Sequence, residues 1–256
     1  MDIQEKNEES EVQTKLEGRN AIAEALKAGR EIEKLFILDG CKDGPVKNIV
    51  AKARKTDAII SYVSKERLNQ MSETGNHQGV IAYAAAYHYA ELDDILKKAE
   101  EKGEAPFIIL LDGIEDPHNL GAIIRTANLA GAHGVIIPKH RAAGLTAVVA
   151  RTSAGALNYT PVVKVTNLAQ TIEELKTKGI WFVCAAMDGE IMYRQNLTGP
   201  IGLVIGNEGE GVSRLVREKC DFTTAIPMKG DIDSLNASVA AGVLSFEIVR
   251  QRMLGR

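Results

Sequence analysis

Three runs in the second half of the chain mix carboxylates, amides, hydroxyls and one arginine with small residues, a combination suited to holding a polar ligand. The first is Asp112-Gly113-Ile114-Glu115-Asp116-Pro117-His118-Asn119-Leu120-Gly121-Ala122-Ile123-Ile124-Arg125. Pro117 and Asn119 are expected to open a helix, with Asn119 as its N-cap. A helix start carrying an amide and a guanidinium suits phosphate recognition; a solvated helix arginine and a plain cap account for the same residues. The second run is Gly206-Asn207-Glu208-Gly209-Glu210-Gly211. Its glycines allow close backbone approach to a ligand, but it lacks the Gly-Lys-Ser/Thr of a phosphate loop and the Gly-x-Gly-x-x-Gly of a dinucleotide fold. Glu208 and Glu210 would repel phosphates, so a cationic or neutral ligand fits better. The third is Ile226-Pro227-Met228-Lys229-Gly230-Asp231-Ile232-Asp233-Ser234-Leu235-Asn236-Ala237-Ser238. Ser234 is a credible N-cap for a last helix, with Asn236 and Ser238 in its first turn and Val239, Val243, Leu244 and Ile248 carrying it into the core.

The elements that must position these runs follow from the hydrophobic pattern. Near-continuous apolar strands are expected at Phe107–Leu111, Val135–Pro138, Pro161–Val165, Trp181–Ala185, Ile201–Ile205 and Thr223–Ile226. Helices are expected at Leu120–Ala130, Leu145–Ser153, Leu168–Lys178, Val212–Cys220 and Leu235–Arg252. This alternation predicts a parallel sheet covered on both faces. Each chemical run then lies beyond the carboxyl end of a strand, where open α/β sheets bind ligands.

Upstream, residues 15–90 predict a small α/β domain: helical spacing at Ala21, Ile22, Ala25 and Leu26, strands at Leu35–Leu38, Ala58–Val63 and Val80–Tyr83, and helices at Val46–Arg54 and Lys65–Met71. Residues 1–14 read as a disordered acidic tail and 91–105 as a charged, helix-like linker ending at Gly103 and Pro106, leaving 106–256 as the second domain. The net charge of −3 divides unevenly, with −4 in residues 1–14 and −3 in 91–104, against +3 in 15–90 and +1 in 105–256. Both domains are therefore neutral to mildly basic, which permits an RNA partner. No stretch approaches the ~20 apolar residues of a membrane span, and the acidic N-terminus lacks the apolar region of a secretory signal. Cys41, Cys184 and Cys220 have no paired spacing and fit a reducing cytosol. Neither they nor the five histidines have metal-ligand spacing, so no metal is expected.

Taken together, Asn119-Leu120-Gly121-Ala122-Ile123-Ile124-Arg125, the 206–211 loop and Ile226-Pro227-Met228…Ser234-Leu235-Asn236-Ala237-Ser238 resemble the three ordered motifs of the SpoU (TrmH-type) RNA ribose 2′-O-methyltransferases, with Ala237 where a valine is more usual. Glu17-Gly18-Arg19-Asn20-Ala21-Ile22-Ala23-Glu24-Ala25-Leu26 and His77-Gln78-Gly79-Val80 resemble the L30e-like substrate-recognition domain that precedes such enzymes. The resemblance implies a trefoil-knotted methyltransferase domain, with the last helix threaded through a preceding loop, after a small L30e-like α/β domain. It further implies S-adenosylmethionine held by the backbones of Gly206, Ile226 and Leu235, and catalytic roles for Asn119, Arg125, Glu208, Ser234 and Asn236. Arg19, Asn20, His77 and Gln78 become the expected RNA contacts. A cytoplasmic homodimer acting on structured RNA is implied, with a guanosine of 23S ribosomal RNA as the favoured target. A guanidinium hardly deprotonates, so Arg125 is expected to clamp a phosphate and stabilise developing charge rather than serve as a base, with Asn119 orienting it and Glu208 holding either Arg125 or the target nucleotide. A transfer-RNA methyltransferase and a non-catalytic RNA-binding assembly factor are the alternatives. A nucleotide-dependent oxidoreductase lacks its glycine fingerprint.

Overall fold

The computed structural model describes residues 15–27, 29–41, 43–55, 58–84, 88–231 and 234–255. The expectation for residues 1–14 lies outside them. The chain divides into two compact units at His88/Tyr89, with the short stretch Gly144–Ala147 grouped with the first.

The first unit runs β1 (Lys15–Glu17), α1 (Arg19–Lys27), β2 (Ile32–Leu38), α2 (Gly44–Lys55), β3 (Ile59–Val63), α3 (Lys65–Met71) and β4 (Val80–Ala84). Its sheet has the order β1-β4-β2-β3, and only the β2–β3 pair is parallel. α2 buries Val46, Ile49 and Ala53, at the i, i+3, i+7 spacing of one helix face, against Ile22, Leu35, Ile37 and Val80. The short β1 was not expected from the sequence, since three residues carry too little alternation to register. Its last residue ties down the 72–74 turn. Glu17 accepts hydrogen bonds from the Ser72 hydroxyl (2.6 Å), the Glu73 amide (2.7 Å) and both the hydroxyl and amide of Thr74 (2.6 and 3.3 Å).

The second unit contains α4 (Leu92–Lys102), β5 (Phe107–Asp112), α5 (Pro117–Leu129), β6 (Gly134–Pro138), α6 (Ala147–Thr152), β7 (Val162–Val165), α7 (Leu168–Thr177), β8 (Trp181–Ile191), β9 (Ile201–Gly206), α8 (Arg214–Lys219), β10 (Phe222–Ala225) and α9 (Ala237–Met253). Segment 91–105, expected as a linker, is built into this unit. α4 has a Glu91/Asp94 capping box and a left-handed Gly103 at its end, and Ile95 packs with Ile108, Ile136, Val163 and Phe182. Its charged residues lie on the solvent face and hid the apolar stripe in a reading by composition.

All six strands of this unit are parallel, in the order β10-β8-β9-β5-β6-β7. From β5 the chain moves outward through β6 and β7, then returns to the other side, with β9 set directly against β5 in the register Asp112↔Gly206. The connections leaving β5 and β9 thus diverge to opposite sides, which opens a crevice at their carboxyl ends. Two cap expectations shift. Asp116, accepting from the His118 amide at 2.8 Å, caps α5 in place of Asn119. Asn236 caps α9 in place of Ser234. Leu244 and Ile248 are buried as expected, whereas Val239 is 49% exposed.

β8 also departs from expectation. It pairs with β10 at Val183 and Cys184, and again only at Glu190 and Ile191, so Ala185–Gly189 leaves the sheet as an excursion. No described helix is long and apolar enough to cross a membrane, and no group of three or more His, Cys, Asp or Glu among the described residues is placed to hold a metal.

Burial alone would raise the Glu17 pKa, but four donors from residues 72–74 outweigh it and hold the carboxyl at about 2 instead of 4.5. A depressed folded pKa gives stability that is full above the unfolded value and fades as pH falls towards the folded one. Glu17→Gln should therefore cost about 1–2 kcal/mol at pH 7, and its urea-unfolding midpoint should converge on the parent's between about pH 4.5 and 2.

Candidate functional site

At the crevice between β5 and β9, three chain segments meet on one carboxylate oxygen. Glu208 Oε1 accepts hydrogen bonds from Asn119 Nδ2 (2.7 Å), Asn236 Nδ2 (3.0 Å) and the backbone amide of Ala237 (3.1 Å). Asn236 Nδ2 also donates to Asn119 Oδ1 at 2.9 Å. Asn119 is the third residue of α5 and Ala237 the first of α9, so the positive ends of two helices face one negative charge. The other side-chain atom of Asn236 caps its own helix: Oδ1 accepts from the Ser238 amide (3.0 Å), the Ser238 hydroxyl (2.6 Å) and, at 3.4 Å, the Val239 amide.

The 206–211 loop that presents Glu208 is held by its own side chains. Asn207 Oδ1 accepts from the amides of Gly209 and Glu210 at 2.9 and 2.7 Å, and the Asp112 carboxylate accepts from the Ser213 amide at 2.8 Å. The loop folds back so tightly that a Cβ on Gly206 would overlap the backbone of Gly211 and Val212. A similar crossing occurs at Gly189, where a Cβ would lie 2.7 Å from Thr224 backbone atoms. Both positions require glycine for space rather than for unusual torsions.

These loops enclose a cavity of about 730 Å³. Gly206, Ile226, Leu235 and Ser234 all line it, together with Glu208 and Glu210. The β8 excursion supplies a wall that sequence reasoning missed: Met187, Asp188 and Gly189. A five-residue departure that keeps the apolar look of a strand end leaves no periodic signal. Asp188 receives two hydrogen bonds from Arg217 (2.9 and 2.7 Å). That guanidinium holds its carboxyl below the usual range, while the arginine pKa is raised in return. Cys184 and Cys220 are distant in sequence and donate to the backbone carbonyls of Ala185 (3.7 Å) and Val216 (3.4 Å); the neighbouring Cys184 thiol and burial push the Cys220 thiol up. Both are free thiols.

Arg125 stands apart from this cluster. It is exposed on α5 and makes no hydrogen bond with Asn119, where an orienting contact was expected, and no ion pair with Glu208, which leaves the target nucleotide as the other expected partner of Glu208. Helical phase accounts for the difference. Six residues at 100° each place Arg125 some 240° around the helix from Asn119 and about 9 Å along it. Ser234 is exposed, and no hydrogen bond ties it to the Asn119–Glu208–Asn236 cluster.

In the first unit the four expected RNA contacts separate. Asn20 and Gln78 are exposed. His77 is buried, accepting from the Gly79 amide at Nδ1 (3.0 Å) and so donating through Nε2 to Asn69 Oδ1 (2.9 Å); with both nitrogens engaged it is a structural histidine. Arg19 is half-buried, paired with Asp43 at 2.7 Å and bonded to the Gln78 carbonyl at 3.1 Å. His77 and Arg19 thus shape the 76–79 turn, and its exposed tip is Gln78.

Comparison with known proteins matches residues 106–246 to the SpoU rRNA methylase family and residues 15–90 to an RNA 2′-O ribose methyltransferase substrate-binding domain. A Bacillus subtilis (strain 168) protein named as a TrmH family tRNA/rRNA methyltransferase is 52% identical over 237 residues, covering 92% of this chain and 94% of its own length. A Staphylococcus saprophyticus relative of the same family name is 46% identical, covering 92% of this chain and 94% of its own. Among solved structures, the SpoU methyltransferase AviRb of Streptomyces viridochromogenes in complex with the cofactor AdoMet is 27% identical with a TM-score of 0.60, covering 94% of this chain and 91% of that one. An AdoMet-bound rRNA methyltransferase of Sinorhizobium meliloti is 25% identical with a TM-score of 0.58, over 96% and 90% of the two chains.

The two roles of Asn236 can be separated. Asn236→Ala, which loses both the cap and the tie to Glu208, should lower stability in urea by about 1–2 kcal/mol. Asn236→Ser keeps a capping oxygen and should recover about half of that, while amide exchange at the start of α9 stays faster than in the parent.

Proposed function

Because this chain belongs to the SpoU rRNA methylase family, we propose that it transfers a methyl group from S-adenosylmethionine to a ribose 2′-hydroxyl of structured RNA, with a guanosine of 23S ribosomal RNA as target. The observation that carries the reading is the convergence of Asn119, Glu208 and Asn236 beside a glycine-cradled acidic cavity at the crevice between β5 and β9. Its size suits a nucleoside-sized cofactor. The backbones of Gly206, Ile226 and Leu235, which line the cavity, would hold the adenine and ribose. When bound, the cofactor supplies an electrophilic methyl group on a sulfonium sulfur. The acidic residues Glu208 and Glu210 fit that positive charge where they would oppose a phosphate-rich ligand.

Methyl transfer to a hydroxyl is an in-line displacement, so the residues around the cavity must fix the direction of the attacking oxygen and stabilise its charge. Asn119 and Asn236 fix Glu208, and Ser234 offers a hydroxyl at the cavity rim. Arg125, with no tie to this cluster, is available to a phosphate of the RNA, where its planar fork would clamp two oxygens and favour the developing alkoxide. The chain around the cavity is read as trefoil-knotted, and the tight passes at Gly206 and Gly189 leave no room there for a side chain. Val239, Phe246 and Met253 recur every seven residues along α9 and are 49%, 49% and 81% exposed. An outward apolar seam of this kind supports a homodimer. Ribosomal over transfer RNA rests on the first unit, and an RNA-modifying enzyme of this kind belongs in the cytoplasm.

Nucleoside mass spectrometry of ribosomal and transfer RNA from a strain lacking the protein should show loss of one 2′-O-methylated nucleoside from the 23S fraction; unchanged nucleosides in both fractions would defeat the proposal. With purified protein, Arg125→Lys should lower kcat by at least about 100-fold and leave S-adenosylmethionine affinity within twofold, as a clamp but not a cofactor ligand demands. Phe246→Glu should shift the protein from dimer to monomer in light scattering.

A further inference from the structure

The first unit carries a second cleft, of about 340 Å³, between α2 and the edge strand β3. Its floor is apolar, formed by Val46, Val50 and Ala51, and its rim holds Lys47, Arg54 and Tyr62. Lys47, Val50, Ala51 and Arg54 follow the i, i+3, i+4, i+7 rule and form one row along α2, next to the face that packs into the core. The two cations are therefore about 10 Å apart along the axis, and neither is in an ion pair with a described residue. Tyr62 is 53% exposed on β3 and shares a strand face with Ile60, which packs on the core beneath α2.

Two features resist a purely structural account. α2 has four cations and no acid. Lys52, Arg54 and Lys55 suit the negative end of the helix, but Lys47 lies in the first turn, where a positive charge opposes the dipole. A large aromatic ring half in water beside an open apolar floor likewise adds little to stability.

We propose that this cleft is a contact site for a single-stranded RNA segment, one base stacking on Tyr62 over the apolar floor, with flanking phosphates at Lys47 and Arg54. Aromatic faces take any base, and paired cations follow the backbone, so the cleft would hold RNA without reading much of its sequence. This rests on the reading that the chain acts on RNA, and it adds a surface separate from the Arg19–Gln78 turn.

The full-length protein is titrated against a fluorescein-labelled oligouridylate, and separately against total ribosomal RNA, by anisotropy over a series of KCl concentrations. Tyr62→Ala should weaken binding about 5- to 150-fold, and Tyr62→Phe should stay within twofold. Tyr62→Leu, which keeps the bulk but lacks the π face, should resemble Tyr62→Ala and covers the case in which the alanine variant fails to fold. The double variant Lys47→Gln/Arg54→Gln should reduce the slope of log affinity against log salt by about 1.4. Unchanged affinity and slope in all variants, with the parent binding RNA, would overturn the cleft alone and leave the methyltransferase reading standing. Failure of the parent to bind either RNA would overturn both. If the variants instead lose binding to polyglutamate while RNA binding is unaffected, the cleft serves an acidic protein and the proposal is wrong.

Discussion

The second unit turns on one oxygen atom. Glu208 Oε1 takes hydrogens from α5, from the α9 cap and from the first amide of α9, joining positions 119, 208 and 236–237, which are far apart in sequence. A carboxylate is well able to hold three donors, since charge-assisted bonds are strong and two helix dipoles add to the attraction. The glycines of the 206–211 loop serve this atom. Without the close pass of Gly206 beneath Gly211 and Val212, the loop would not set Glu208 between the two helix starts. The sheet order serves it as well, because only strands whose connections diverge leave a gap wide enough for both helix termini to enter.

Much of this was legible in the chain. The apolar runs located β5, β6, β7 and β9 to within a residue or so, because strands buried on both faces leave little room for polar interruption. The polar runs fell at the strand ends for the same reason. Less visible was the exact hand-off from loop to helix. Ser234 and Asn236 are both good caps, and which one serves depends on where Glu208 meets the chain, a tertiary fact. Arg125 is a different lesson, since its separation from Asn119 follows from helical geometry that the sequence already contained. Val239 looked like a core residue by type alone, and an apolar residue turned outward can be told from a buried one only by its neighbours. His77, read as an RNA contact, proved to be the buried pivot of its own turn.

The two units use charge differently. Around the large cavity Glu208 is shared among donors and Asp188 is neutralised by Arg217, while Glu210 lines the wall with no partner for its carboxylate among the described residues. In the first unit Glu17 is absorbed by the 72–74 turn and Asp43 by Arg19, and the four cations of α2 face no acid on their own helix. Such a division suits a protein whose one part holds a cation and whose other part meets a polyanion.

The tie between Asn119 and Asn236 spans 117 positions of the chain. The strands and most helices of the second unit can form from earlier residues, but the cavity has no floor at Ala237, Ala240 and Leu244 until α9 is in place. During synthesis the second unit can therefore collapse and pair strands, yet this cavity cannot hold a small molecule until α9 has been made. Completing the fold and completing the cavity are thus one event, since α9 brings Leu244 and Ile248 into the core as it closes the floor.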